Sequence, residues 1–94
     1  MSETALAVDS MPRLAPGVRL HFDETRQAWM LLAPERVLML DETSLDIVQR
    51  CDGATQVTAL IDGLAQAYSA DRAEIDGDVR SLLSGLIEKR VLQI

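Results

Sequence analysis

Cysteine, histidine and aromatic residues are scarce in this chain of 94 residues, and their scarcity excludes several kinds of site. Cys51 is the only cysteine, so an internal disulfide and a multi-cysteine metal site are excluded. His21 is the only histidine and has no second His or Cys nearby in the sequence with which to bind zinc. We therefore predict no metal, no cofactor and no catalytic pair of nucleophile and base.

Long apolar runs and a surplus of basic charge are absent as well. The longest unbroken apolar run, Ala28 to Ala33, is far shorter than the roughly 20 residues that span a bilayer. The N-terminus has no basic stretch of the kind that opens an export signal, so we predict a cytoplasmic protein that does not contact a membrane. The net charge is −6, which disfavours binding to a phosphate backbone.

The apolar residues that are present, 48 % of the chain, suffice for one small domain. Residues 1–11 show no period and are predicted to form a flexible N-terminal arm. Val18 to Phe22 alternates in polarity, and Ala28 to Ala33 and Val37 to Leu40 flank a short turn, so we predict three antiparallel strands. The last two are apolar on both faces, which predicts a second covering surface or a partner. Trp29, between apolar neighbours, is predicted to lie in the core.

From Asp41 onward the apolar period changes to that of α-helices. Three helices are predicted: one over residues 41–52, one from near Thr55, and one that begins with Asp71 as a capping residue. Gly53 lies where a left-handed residue would end the first of them. Strands followed by helices predict an α+β fold.

The third predicted helix has an apolar arc of about 140°, wider than the roughly 100° that one core contact needs. Leu83 and Ile87 lie on one edge of that arc and are expected to face something other than the core. Lys89 and Arg90 close the helix with the charge that its dipole favours. Together the elements predict a winged helix-turn-helix-like domain over residues 12–94, with three antiparallel strands followed by three helices.

Several short motifs, in this order and spacing, resemble those of one family. They are Pro12-Arg13-Leu14, Gly17-Val18-Arg19-Leu20, the octapeptide WMLLAPER at residues 29–36, and Cys51-Asp52-Gly53. The pattern is similar to that of the PqqD family, pyrroloquinoline quinone biosynthesis protein D, from about Pro12 to Ile94. The resemblance implies a peptide chaperone of the RiPP recognition element type, and not an enzyme. Such a protein binds the ribosomal precursor peptide PqqA and presents it to the radical SAM enzyme PqqE for Glu–Tyr cross-linking.

The resemblance also implies where the peptide binds, since in this family it adds a strand beside the third strand, next to the third helix. An edge strand has unpaired N–H and C=O groups, and apolar pockets beside it select alternate side chains of the guest. The predicted peptide-binding residues are Arg36, Val37, Leu38, Met39 and Leu40 of the strand and Val79, Leu83 and Ile87 of the helix. Arg26 and Arg36 are candidates to contact acidic residues of either partner.

Two alternatives stay open. The same apolar edge could pair with a second copy of the chain, so we predict a monomer or a weak homodimer through the third strand. The second and third helices could instead belong to a winged-helix DNA-binding protein. Residues 71–90, however, carry five acidic against four basic groups, and we therefore favour no binding to nucleic acid.

Overall fold

The computed structural model describes residues 6–94. Its elements in chain order are β1 (Arg13–Leu14), β2 (Arg19–Asp23), β3 (Ala28–Ala33), β4 (Arg36–Leu40), α1 (Glu42–Gln49), α2 (Val57–Tyr68), α3 (Arg72–Glu88) and β5 (Leu92–Gln93). Strands β2, β3 and β4 form an antiparallel sheet in that order, and the three helices follow. The predicted α+β arrangement of three antiparallel strands and three helices is confirmed.

The sheet places alternate residues on two different faces, as the pleat of a β-strand requires. Leu31 of the central strand is opposite Leu20 on one side and Leu38 on the other, and this row faces the core. The neighbouring row, His21, Met30 and Met39, faces the other way. We call the two sides the inner and the outer face of the sheet.

Two of the helices begin at aspartates that cap them. The Asp41 carboxylate accepts a hydrogen bond from the Ser44 N–H at 2.7 Å, and Asp71 caps α3 in the same manner. The predicted end of the first helix is wrong, because α1 stops at Gln49 and Gly53 lies in the following loop. Gly53 does have a left-handed φ of 78°, and its N–H donates to the carbonyl of Pro12 at 2.9 Å.

Helices α2 and α3 supply most of the core together with the inner face of the sheet. Their buried residues are Val57, Leu60, Ile61, Leu64, Val79, Leu83 and Leu86. The expectation that Leu83 faces away from the core is wrong, since its side chain is 0 % exposed within the core cluster. The wide apolar arc of α3 has a simple cause, because this helix packs against both α2 and β5. Ile87 is partly buried against the same cluster.

A second, two-stranded sheet joins the two ends of the domain and was not predicted. Strand β1 pairs antiparallel with β5, with Arg13 opposite Gln93 and Leu14 opposite Leu92. Val91 and Leu92 are 1 % and 2 % exposed, so the segment directly after α3 belongs to the core. This sheet fixes the chain directly after α3 and so determines where the C-terminal end of that helix lies.

Residues 6–10 contact the helices. The N–H groups of Val57 and Thr58 donate to the carbonyls of Ser10 and Val8, which satisfies two donors at the start of α2 that Gln56 does not cap. The guanidinium of Arg80 donates to the carbonyl of Leu6 at 2.9 Å. Residues 1–5 of the predicted arm lie outside the described residues, and its flexibility stays a prediction. Within residues 6–94, every helix is too short or too polar to cross a membrane.

Candidate functional site

Strand β4 lies at the edge of its sheet, because among residues 6–94 it pairs with β3 and with no other strand. Ala33 and Arg36 form the pair that closes the two-residue turn, and such a pair is joined by hydrogen bonds. Bonded and non-bonded pairs alternate along an antiparallel ladder, so Leu38 also bonds to β3. The N–H and C=O groups of Val37 and Met39 therefore point to the free edge.

The side chains of β4 divide between the two faces of the sheet. Leu38 and Leu40 are partly buried and pack against the core. Val37 and Met39 lie on the outer face and are 54 % and 51 % exposed. The apolar surplus of this segment is thus a surface feature, and nothing in the described part of the chain buries these two side chains. Met30, in the central strand of the same face, is 5 % exposed, so among residues 6–94 the covering surface predicted for this face is missing only at the edge strand.

The structure places the three predicted helix residues differently from one another. Val79 and Leu83 lie in the core at 1 % and 0 % exposure, whereas Ile87 is partly exposed. Arg36, at the start of β4, lies near residues 89–91 at the end of α3, and Val79 does not line the cavity between them. Arg36 shares this cavity with Lys89, which was predicted only as a charge at the end of the helix.

This cavity, which we call the basic cavity, has a volume of about 370 Å³. It lies between the β3–β4 turn and the C-terminal end of α3. Its lining residues are Pro16, Val18, Ala33, Pro34, Glu35, Arg36, Lys89, Arg90 and Val91. Three basic side chains and one acidic side chain surround it, in a chain whose overall charge is negative. Positive potential is therefore concentrated at the start of β4.

A second cavity of about 430 Å³, the acidic cavity, lies at the other end of β4. Trp29, Leu40, Asp41, Glu42 and Leu45 line it with two further residues of the β2–β3 turn and β3. The prediction that Trp29 lies in the core is wrong: its ring is partly exposed and packs on Phe22, with 5.3 Å between ring centroids. Hydrogen bonds from Ser44 lower the pKa of Asp41, which keeps this carboxylate charged.

The described residues bring no catalytic constellation together. Cys51 is buried in the core, where its thiol donates to the carbonyl of Ile47 at 3.3 Å. Burial and the neighbouring Asp52 raise the pKa of this thiol to about 12, so it is protonated at neutral pH. His21 is exposed on the outer face of the sheet. Among residues 6–94, no three His, Cys, Asp or Glu side chains are grouped as metal ligands.

Comparison with known proteins agrees with this geometry. Residues 28–92 match the family described as "Coenzyme PQQ synthesis protein D (PqqD)". The chain belongs to the PqqD family. A relative from Rhodopseudomonas palustris (strain TIE-1), named "PqqA binding protein", is 55 % identical over 83 residues, which cover 88 % of this chain and 81 % of the relative.

Two solved PqqD structures share the fold. The solution structure of the PqqD truncation of PqqCD from Methylobacterium extorquens, described as a functional and stand-alone RiPP recognition element, has a TM-score of 0.82 at 43 % identity and 97 % coverage of both chains. The crystal structure of PqqD from Xanthomonas campestris has a TM-score of 0.61 at 42 % identity, with 96 % of this chain and 100 % of that chain covered. The likeness to both extends over almost the whole domain.

The charges of α3 bear on the DNA-binding alternative. Arg72 forms ion pairs with Asp62 and Asp76, and Arg80 forms one with Asp76. These two arginines therefore bring no surplus of positive charge to the exposed side of a PqqD-type third helix. The DNA-binding alternative stays a hypothesis, and the paired arginines of α3 do not favour it.

The basic cavity is the part of the site that sequence reasoning missed. Its basic residues come from positions 36, 89 and 90, and no local pattern connects residues so far apart in the chain. The sequence does hold one usable signal, since Val91 and Leu92 are apolar directly after Lys89 and Arg90. A buried segment at that point forces the basic pair to lie close to the body of the domain.

Proposed function

We propose that this chain binds the precursor peptide PqqA by accepting it as a fourth strand on the free edge of β4, and presents it to the radical SAM enzyme PqqE in pyrroloquinoline quinone biosynthesis. The observation that carries the proposal is the unpaired edge of β4 in a chain of the PqqD family. The curated relatives named for binding PqqA support the identity of the peptide. The chain itself performs no chemistry in this proposal, and its role is recognition.

In the bound state, the backbone of the peptide pairs with the N–H and C=O groups of Val37 and Met39. Alternate side chains of the peptide then fall on the two faces of the extended sheet. Those on the inner face lie beside Leu38 and Leu40, and in this proposal Ile87 of α3, which is partly buried against the same core cluster, contacts them as well. Those on the outer face lie beside the side chains of Val37 and Met39, which are half exposed without the peptide.

Val79 and Leu83 have a supporting part in this proposal. Both side chains are buried in the core, at 1 % and 0 % exposure, so they fix the position of α3, while Ile87 contacts the peptide in this proposal. Replacing Leu83 by alanine would cost about 2–5 kcal/mol of folding stability and Val79→Ala would cost less, and such variants cannot report on peptide binding alone. The edge strand is the better place for a test.

The experiment is a titration of the 15N-labelled chain with synthetic PqqA peptide, followed by NMR. We expect the amides of Val37 and Met39 to show large shifts and slower hydrogen exchange in the complex, and Met39→Asp to bind more weakly. His21→Asp is the matched control, because His21 lies in the same outer row at the opposite edge of the sheet. Shifts confined to α1, with residues 36–40 unmoved, would overturn the placement.

Presentation to PqqE needs a separate measurement. We expect PqqE to cross-link PqqA faster when this chain is present, and we expect Val37 and Met39 variants that lose PqqA to lose this effect. An unchanged rate of cross-linking with and without the chain would contradict the presentation step while leaving peptide binding intact.

A further inference from the structure

We infer that the basic cavity is a carboxylate-binding site, which takes an acidic group of the guest peptide through Arg36, Lys89 and Arg90. The inference deepens the proposed function and rests on it, because the carboxylate belongs to the peptide on the edge of β4. Three observations carry it: the pairing of the chain's basic side chains, the backbone conformation of Arg90, and the distribution of charge along β4.

Most basic side chains outside the cavity have a carboxylate partner. Arg26, Arg50, Arg72 and Arg80 form ion pairs within 4.0 Å. Among residues 6–94, the basic side chains without such a partner are Arg13, Arg19, Arg36, Lys89 and Arg90. Three of these five line one cavity, although the chain has fifteen acidic residues to pair them with. The cavity therefore holds basic groups that are available to an outside anion.

The backbone at Arg90 gives an independent argument. The N–H of Arg90 donates to the carbonyl of Ile87 and the N–H of Val91 donates to that of Leu86, which together form a Schellman motif at the end of α3. The residue after the C-cap of this motif is usually glycine, because its φ is positive. Arg90 occupies it with a φ of 65°. Gln27 and Ser69 also have a positive φ, but Arg90 is the charged one of these three, and a charged side chain held in a conformation that favours glycine points to a function for that side chain.

Charge along β4 gives the site a direction. The basic cavity lies at the Arg36 end of the strand, and the acidic cavity, with Asp41 and Glu42, lies at the Leu40 end. A peptide carboxylate is attracted to the first end and repelled from the second, so the two cavities together favour one orientation of the guest strand. Glu35 also lines the basic cavity and reduces its positive charge without reversing it.

The test compares two double variants with the same change in net charge. Arg36→Gln with Lys89→Gln removes two charges from the cavity, and Arg13→Gln with Arg19→Gln removes two unpaired charges elsewhere. Affinity for synthetic PqqA peptide is measured by titration calorimetry at several salt concentrations. We expect the cavity variant to bind about tenfold more weakly at low ionic strength and the control to bind within about twofold of the wild type. The difference in affinity between the cavity variant and the control should shrink in about 0.5 M salt, because salt screens the attraction between the cavity and the carboxylate.

Arg90→Gly separates function from folding. Glycine removes the charge and relieves the left-handed conformation, so we expect an unchanged or higher urea midpoint together with PqqA binding about 2- to 5-fold weaker. PqqA variants in which each Glu or Asp is replaced singly by its amide, and a C-terminally amidated PqqA, identify the carboxylate. The change in PqqA that removes the carboxylate bound by Arg90 should weaken binding to the wild-type chain. The same change should leave the affinity of Arg90→Gly for the peptide unaltered.

Each outcome decides the matter. If PqqA binding depends on the edge of β4 but the cavity double variant and Arg90→Gly bind like the Arg13→Gln, Arg19→Gln control, the carboxylate site is refuted and the proposed function stands. If no single amide substitution or C-terminal amidation couples to Arg90→Gly, the site is refuted as well. If the wild-type chain does not bind PqqA at all, both the proposed function and the inference fall.

Discussion

Proline at Val37 or Met39 tests strand addition at the level of single hydrogen bonds. Proline has no N–H, and on an edge strand it is tolerated where the missing donor points away from the sheet. The alternation of the β3–β4 ladder assigns the N–H groups of both residues to the free edge. Proline at either position therefore removes a donor to the peptide while every hydrogen bond between β3 and β4 is kept.

The size of the effect follows from the number of donors removed. One intramolecular hydrogen bond contributes a net free energy of about 0.5–1.5 kcal/mol, which is about 2- to 10-fold in affinity. We expect Val37→Pro and Met39→Pro each to weaken PqqA binding by that factor, and the double variant to weaken it by about 5- to 100-fold. The free energy of unfolding should change much less than in Leu38→Pro, which breaks the pair with Leu31.

The assay is fluorescence anisotropy of labelled PqqA peptide, with urea unfolding of each variant in parallel. Val37→Ala and Met39→Ala are the matched controls, because they shorten the same side chains and keep the N–H. If each proline variant binds PqqA as tightly as the wild type, the peptide does not pair with this edge and the reasoning is refuted. If alanine and proline weaken binding equally, the side chains and not the backbone hold the peptide.

Three other outcomes are expected. Gly77→Ala and Gly85→Ala should each raise the free energy of unfolding by about 0.8–1 kcal/mol in urea melts, since an added Cβ meets nothing within 4 Å at either position of α3. Tyr68→Phe should lower the urea midpoint at pH 7, because the Tyr68 hydroxyl donates to Asp46 at 2.7 Å and lowers the pKa of that carboxyl. In sedimentation velocity, any homodimer formed through the edge of β4 should dissociate when PqqA peptide is added.

These three outcomes have their own controls. Gly63→Ala should stabilise less than the α3 variants, because an added Cβ would lie 2.9 Å from the Arg50 guanidinium. A carboxyl whose pKa is lowered by folding stabilises the protein above its unfolded pKa of about 3.9, and this contribution disappears as the pH falls through the lower folded value. The Tyr68→Phe difference should thus narrow with acid, and a constant difference would contradict the assignment. A dimer that persists in excess peptide would have to use another surface.

Local periodicity was sufficient to predict the three-stranded sheet and the three helices. Alternation near Val18 and the 3.6-residue spacing after Asp41 are signals within one segment, and the structure keeps both. The short sheet of β1 and β5 was beyond such reasoning, because two residues cannot show a period. The position of Leu83 was predicted wrongly for a related reason. The sequence shows how wide the apolar arc of a helix is, but not how many neighbouring elements pack against that arc.

The candidate site was predictable in part for the same physical reasons. Apolar residues on both faces of residues 36–40 are visible in the sequence, and the structure shows half-exposed side chains there. The turn at Pro34 and Glu35 decides which N–H groups of β4 face the free edge. Its two-residue length makes Ala33 and Arg36 the first hydrogen-bonded pair, and bonded and non-bonded pairs alternate from there. The basic cavity depends on how the end of α3 is anchored by β5, and that is a property of the assembled domain.

The outer face of the sheet has a consequence for the proposed presentation of the peptide to an enzyme. A bound strand would place its own outward side chains next to Met39 and Val37, so that one continuous surface would be composed of two different molecules. An enzyme that docks on this composite surface would distinguish the chain with bound peptide from the chain without it by shape alone. Chains without bound peptide would then compete poorly for the enzyme, even when the chain is in excess over the peptide.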